Sequence, residues 1–191
     1  MSYKKYTRPT AAFFQFLKIL VNMETMKNAS TIRSILSQTR NNTTTWIGHL
    51  QNETLDHFSG QTFRCPDDGY LDNIQVYAAM VQRPGEVLLT LHEFNDDRKS
   101  WDSSIAGSTL FVKRKDEGEW LTFPLTNAVL EKNKLYGFRL QSQEAMIGLG
   151  ELARANDEPC TYGQEWNADS NNRAGVFFNW FSLAFKVEMV A

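Results

Sequence analysis

Residues 57–191 predict a mainly β domain, an antiparallel β-sandwich, and residues 1–56 predict a helical segment ahead of it. Two observations carry the sandwich. From Phe58 onward apolar residues alternate with polar ones, the pattern of strands buried on one face. Clusters of Pro, Gly, Asn and Asp punctuate these runs at short intervals, with no alternation of strands and helices. A third observation marks the front segment, where the apolar spacing changes to that of a helix. Composition agrees: of 191 residues, 13 are Phe and 5 are Trp, a supply of large rings that favours a β-rich core.

The elements follow in order. Phe13, Leu17, Leu20 and Val21, with Phe14 beside them, form a helical stripe. Lys4, Lys5 and Arg8 precede it in the manner of an export signal. Gln15 and Lys18 interrupt the apolar run, however, and no small-x-small cleavage site follows. The run is also too short and too polar to span a membrane. Ile32, Ile35 and Leu36 make a second helical stripe, which Asn28 or Ser30 would cap. Trp46, Ile47 and Leu50 form an apolar patch of unassigned structure. Strands are expected at 60–63, 71–79, 86–94, 108–114, 119–125, 135–141, 145–152 and across 176–190. Pro66-Asp67-Asp68-Gly69 and Arg83-Pro84-Gly85 are turns. Asp116-Glu117-Gly118 joins its flanking strands into the clearest hairpin of the chain. Residues 156–173 read as a long polar loop carrying Cys160, Tyr162 and Trp166. The count of about eight strands with short turns is that of a jelly roll.

The order of these features carries a resemblance. It runs from Gln61-Thr62-Phe63 through Gly69-Tyr70-Leu71-Asp72-Asn73-Ile74 to Gly85-Glu86-Val87-Leu88-Leu89-Thr90-Leu91. Trp120-Leu121-Thr122-Phe123-Pro124-Leu125 and Leu135-Tyr136-Gly137-Phe138-Arg139-Leu140 come next, and Tyr162-Gly163, Trp166 and Ser182-Leu183-Ala184-Phe185-Lys186-Val187 close it. This resembles the jelly-roll accessory modules of bacterial surface and carbohydrate-active proteins, over about two-thirds of the chain. The resemblance implies a binding or adhesive role. The segment before Phe58 has no counterpart in those modules.

Charge and motifs narrow the chemistry. The net charge of -2 provides no basic field for nucleic acid. GxSxG, HExxH, P-loop and GxGxxG patterns are all missing, so the reading is non-enzymatic. Gly148-Leu149-Gly150 reads as close packing or a bulge inside a strand. Glu93, Glu144, Glu151 and Glu165 are the available carboxyls, each read as a solvated surface group. The 2 cysteines, Cys65 and Cys160, fit either one disulfide or two free thiols. No cofactor is expected. A structural calcium would draw on Asp67, Asp68, Asp72, Asn73, Asp96 and Asp97, but adjacent acids in turns more often bond the local backbone.

Sugars present apolar C–H faces rimmed by hydroxyls, so a site for them needs an aromatic platform beside amide, carboxylate or guanidinium groups. Tyr162, Gln164, Glu165, Trp166 and Asn167, followed by Arg173, offer that composition, and Trp101 offers a second platform. The competing reading places Trp166 as a cap on the core, and Trp120 and Trp180 inside it. The sequence thus favours a module that binds carbohydrate or a glycoprotein surface, in an extracellular or cell-surface setting. Its alternative is an assembly component, a fibre, virion or surface part, that oligomerises through residues 10–40. A sandwich-fold sugar lyase or hydrolase ranks behind both.

Overall fold

The protein is seen in a computed structural model that describes residues 31–49, 54–126, 128–154 and 159–191. The helical stripe expected at residues 13–21 lies outside these. In chain order the strands are β1 (Ile32–Gln38), β2 (Thr43–His49), β3 (Asp56–Arg64), β4 (Gly69–Arg83), β5 (Gly85–Asn95), β6 (Ser100–Val112) and β7 (Glu119–Pro124). They continue as β8 (Val129–Leu130), β9 (Leu135–Gln141), β10 (Met146–Ala153), β11 (Glu165–Asp169), β12 (Val176–Phe178), β13 (Phe181–Leu183) and β14 (Phe185–Val190). Among the described residues no helix is long and apolar enough to cross a membrane.

Every pairing is antiparallel, and the main path runs β1-β14-β4-β10-β2-β3-β9-β5-β6. The sheet folds back on itself. Phe63 on β3 and Phe138 on β9 lie several strands away from β14 along the path. Their rings nevertheless sit 6.2 and 5.6 Å from that of Phe185 on β14. The two halves therefore face each other across a common core, as sandwich layers do. Alternation fills that core: Val87, Leu89 and Leu91 from β5, Tyr136, Phe138 and Leu140 from β9, and Ile74 and Val76 from β4 are all buried. Their neighbours Leu88, Thr90, Gly137 and Arg139 fall on the outer face.

The predicted helical segment of residues 1–56 requires correction over its described part. Ile32, Ile35 and Leu36 do not form a helix; they belong to β1, which pairs with β14. The register shifts between Ser34 and Leu36. That extra residue breaks the two-residue period and leaves a spacing that imitates a helix. Thr43, Thr44 and Thr45 are β-branched and enter β2, which runs against β10 from Thr43↔Glu151 to Gly48↔Met146. The β-domain therefore begins near Ile32 rather than at residue 57.

Two further expectations change. The hairpin around Asp116-Glu117-Gly118 does not form, because β6 pairs with β5 while β7 pairs with β4 from Asn73↔Pro124 to Ala78↔Glu119. A short 3-10 turn at Arg114–Asp116 and the 2.8 Å bond from the Gly118 N–H to the Ala78 carbonyl carry the chain across. The loop expected at residues 156–173 holds β11, which joins β3 from Glu165↔Gln61 to Asp169↔His57. Gly148 is a close-packing glycine: a Cβ there would lie 2.7 Å from Thr44 Cγ2, and the β10–β4 register shifts beside it. Both cysteines are free thiols; Cys65 is buried, which pushes its pKa up.

Candidate functional site

The aromatic residues singled out in the sequence converge, but they pack inward. Trp166 on β11 is 0% exposed. Its indole N–H donates to the Ala174 carbonyl at 2.8 Å. Trp101 on β6 is half-buried, edge-on to Trp166 at 5.5 Å, and it contacts Phe94 at 5.0 Å and Phe177 at 5.8 Å. This second aromatic cluster covers the outer face of β3, β9 and β5, away from the main core. His92 belongs to it. Its Nδ1 meets the Asp102 carbonyl at 2.8 Å, which can only accept, so Nδ1 carries the proton; Nε2 lies 2.9 Å from the Thr90 hydroxyl. Burial lowers its pKa.

Room for these rings comes from glycine. At Gly137 a Cβ would stand 2.5 Å from Trp101 Cζ3 and 3.0 Å from the Gln61 carbonyl oxygen. Gly137→Ala is therefore expected to lift Trp101 off the sheet and destabilise the fold by about 1–3 kcal/mol. Thermal unfolding checks this, and an unchanged midpoint would contradict the contact.

Other sequence candidates take structural roles. Tyr162 is half-buried with its ring edge-on to Phe185 at 6.4 Å. Gln164 accepts from Lys99 Nζ at 2.8 Å, and its amide donates to Asn179. Trp180 is 38% exposed rather than core, and Trp120 lies half-buried beneath Lys186, whose Nζ is 4.0 Å from the ring centroid. Asp68 accepts the Lys132 N–H at 2.7 Å and Asp72 accepts Asn73 Nδ2 at 2.7 Å, while Asp67 pairs with Arg33 and Asp96 with Lys99.

Glu165 and Glu151 are not solvated carboxyls. They are 0% and 6% exposed. Burial pushes the Glu165 pKa well above the usual carboxylate range, and the adjacent Glu151 carboxyl adds to the rise. Asn167 donates to Glu165 Oε1 at 3.0 Å, opposing it in part. Glu165 is sealed from solvent on β11, with its carboxyl close to that of Glu151 on β10.

Among the described residues, three neighbouring clefts open to solvent around β3. A cleft of about 280 Å³ between β2, β3 and β11 is lined by Thr44, Trp46, His57, Phe58 and Asn167. A second, of about 140 Å³, shares Phe58 and adds Asp56, Gln141, Gln143 and Arg173. A third, of about 240 Å³, continues from Gln141 and Gln143 to Glu86, Leu88 and Thr109. The first and second clefts share Phe58, and the second and third share Gln141, Ser142 and Gln143; these three adjoining clefts are the groove. Trp46 and Phe58 are half-buried, each presenting part of a ring from a rigid strand. Gln141 and Gln143 flank Ser142, whose hydroxyl donates to the Glu86 carbonyl at 2.6 Å and accepts the Ala145 N–H at 2.7 Å, fixing the turn between β9 and β10. Arg173 follows a turn in which Asp169 Oδ1 accepts the N–H groups of Asn171 and Asn172, both at 2.8 Å.

Of the six predicted ligand residues, Tyr162, Gln164, Glu165, Trp166, Asn167 and Trp101, only Asn167 lines this groove. Trp46 and Phe58, which the sequence reading did not single out as ligand residues, line it too. Their signal is the alternation itself: each is a large ring next to an inward position, Ile47 and Ser59, and so points outward.

The fold defines a class, a many-stranded, sandwich-like antiparallel β domain. No protein-family model matches the chain, and no curated protein is significantly similar to it.

Proposed function

We propose that this chain is a non-catalytic carbohydrate-binding module with a jelly-roll-like sandwich as its scaffold, acting at an extracellular or cell-surface glycan. One observation carries the reading. One cleft brings the Trp46 and Phe58 rings together with the Asn167 amide, and the next sets Phe58 beside Gln141 and Gln143. Rings of this kind stack on the C–H face of a pyranose, and side-chain amides both donate to and accept from its hydroxyls. Rigid strands hold the platform in place before binding, which lowers the entropy lost on association.

A glycan array with the full chain, run beside a Trp46→Ala, Phe58→Ala double variant, tests this. Binding to a defined sugar by the native protein and at least about tenfold weaker binding by the variant are expected, since each stacking contact is worth on the order of 1 kcal/mol. Equal binding by both would remove the groove from the reading.

The assembly alternative has its own support. β1 and β6 end the strand path, and β6 extends over 13 residues with β5 alone as its ladder partner among the described residues. An open edge of that length is a template for pairing with another chain. Light scattering distinguishes the two: a monomer at all concentrations removes the assembly role.

A further inference from the structure

Two arginines on the groove face stand without an acid. Arg139 pairs across the sheet with Gly60 on β3 and Thr90 on β5, so its side chain rises from the same face as Phe58. Its guanidinium carbon lies among aromatic rings, 4.7 Å from the Trp166 centroid and 5.9 Å from that of Trp101. Its Nε is buried with no hydrogen-bond partner. Arg173, on the exposed β11–β12 turn, leans over the Phe58 ring at 5.9 Å and walls the middle cleft. Neither arginine makes an ion pair among the described residues.

The two cations also act on each other. Arg139 is less basic than usual, first because it is buried and then because Arg173 is near. The carboxyls around them do not relieve this. Asp56 is turned to His49, its Oδ1 3.0 Å from Nδ1. Asp169 is occupied by its own turn, as described above, and Glu86 and Glu144 stand at the far end of the groove. A guanidinium without an acidic partner offers several N–H donors to a planar or tetrahedral oxyanion.

We propose that the saccharide bound in this groove is acidic, and that its carboxylate or sulfate is received by Arg173 in the middle cleft, with Arg139 adding positive charge behind it, while the sugar ring lies toward Phe58 and Trp46. This rests on the carbohydrate reading above and narrows it to one substrate class. A uronate and a sulfate ester share the anionic chemistry, so each needs its own arm.

Calorimetric titration of the full chain uses matched pairs: polygalacturonate with its methyl ester, and heparin with its desulfated form. The expected result is that one acidic member binds at least about tenfold tighter than its neutral counterpart, and that Arg173→Gln abolishes this preference without moving the melting temperature. Raising the salt concentration should weaken the acidic ligand selectively. Which pair responds identifies carboxylate or sulfate. Native protein that binds neutral and acidic members equally overturns the acidic-ligand proposal and leaves the carbohydrate reading standing. Failure to bind any of the four polymers, together with a blank glycan array, overturns both. A preference for the acidic form that persists in Arg173→Gln, and in a second variant Arg139→Gln that retains its fold, would place the anion elsewhere and overturn the assignment.

Discussion

Trp166→Ala is expected to lower the stability of the fold by about 3–5 kcal/mol, a large part of the roughly 5–15 kcal/mol that such a domain has in total. The ring is fully buried, so its removal leaves a cavity that its neighbours cannot close. Trp101 loses its edge-on partner at 5.5 Å, Arg139 loses the face it stacks on at 4.7 Å, and the Ala174 carbonyl loses its 2.8 Å donor. The melting temperature should fall by on the order of 10 °C. Trp46→Ala removes a ring that already meets solvent and should move it far less. The contrast matters for function. Weakened glycan binding by Trp166→Ala would report a damaged scaffold, whereas the same loss in Trp46→Ala with an intact melting curve reports a lost contact. A Trp166→Ala protein that melts with the native one would show that the cluster on the outer face contributes little to the fold.

How far the sequence revealed this arrangement depends on where the determining contacts lie. β9 was legible from end to end, because Tyr136, Phe138 and Leu140 alternate cleanly with outward Gly137 and Arg139. β1 was misread because its bulge at Ser34 to Leu36 destroys the period that marks a strand. β11 was read as loop because its inward position carries Glu165, and a buried carboxyl looks like surface until its partner, Glu151 on β10, is known. The false hairpin of β6 and β7 has a related cause: local turn chemistry was right, but β4 is long enough to take β7 from it. For the proposed site, the polar-aromatic run from Tyr162 to Arg173 holds two cleft-lining residues, Asn167 and Arg173, while its Trp166 ring is buried. Trp101 turns inward because Gly137, far along the chain, leaves a seat for it, and no local pattern announces such complementarity.

Buried Glu165 predicts an unusual pH dependence. Its pKa in the folded protein is raised, first by burial and then by Glu151, so the folded state retains a proton that the unfolded chain releases near pH 4.3, about the ordinary glutamate value. Where the native state holds more protons than the unfolded one, stability falls as pH rises, by up to about 1.4 kcal/mol per pH unit for a single group. The contribution is therefore complete below the unfolded value and is lost as pH climbs toward the elevated folded value. Oε2 of Glu165 is buried without a hydrogen-bond partner among the described residues, a setting that disfavours the charged carboxylate. Glu165→Gln replaces the retained proton with a permanent N–H of nearly the same shape and removes the titration. Urea denaturation of both proteins at pH 4, 6 and 8 should show similar stability in acid and an advantage for the variant that grows with pH. Parallel curves across that range would mean that the Glu165 carboxyl is already ionised in the native state, and the account of a protonated carboxyl between β10 and β11 would fail.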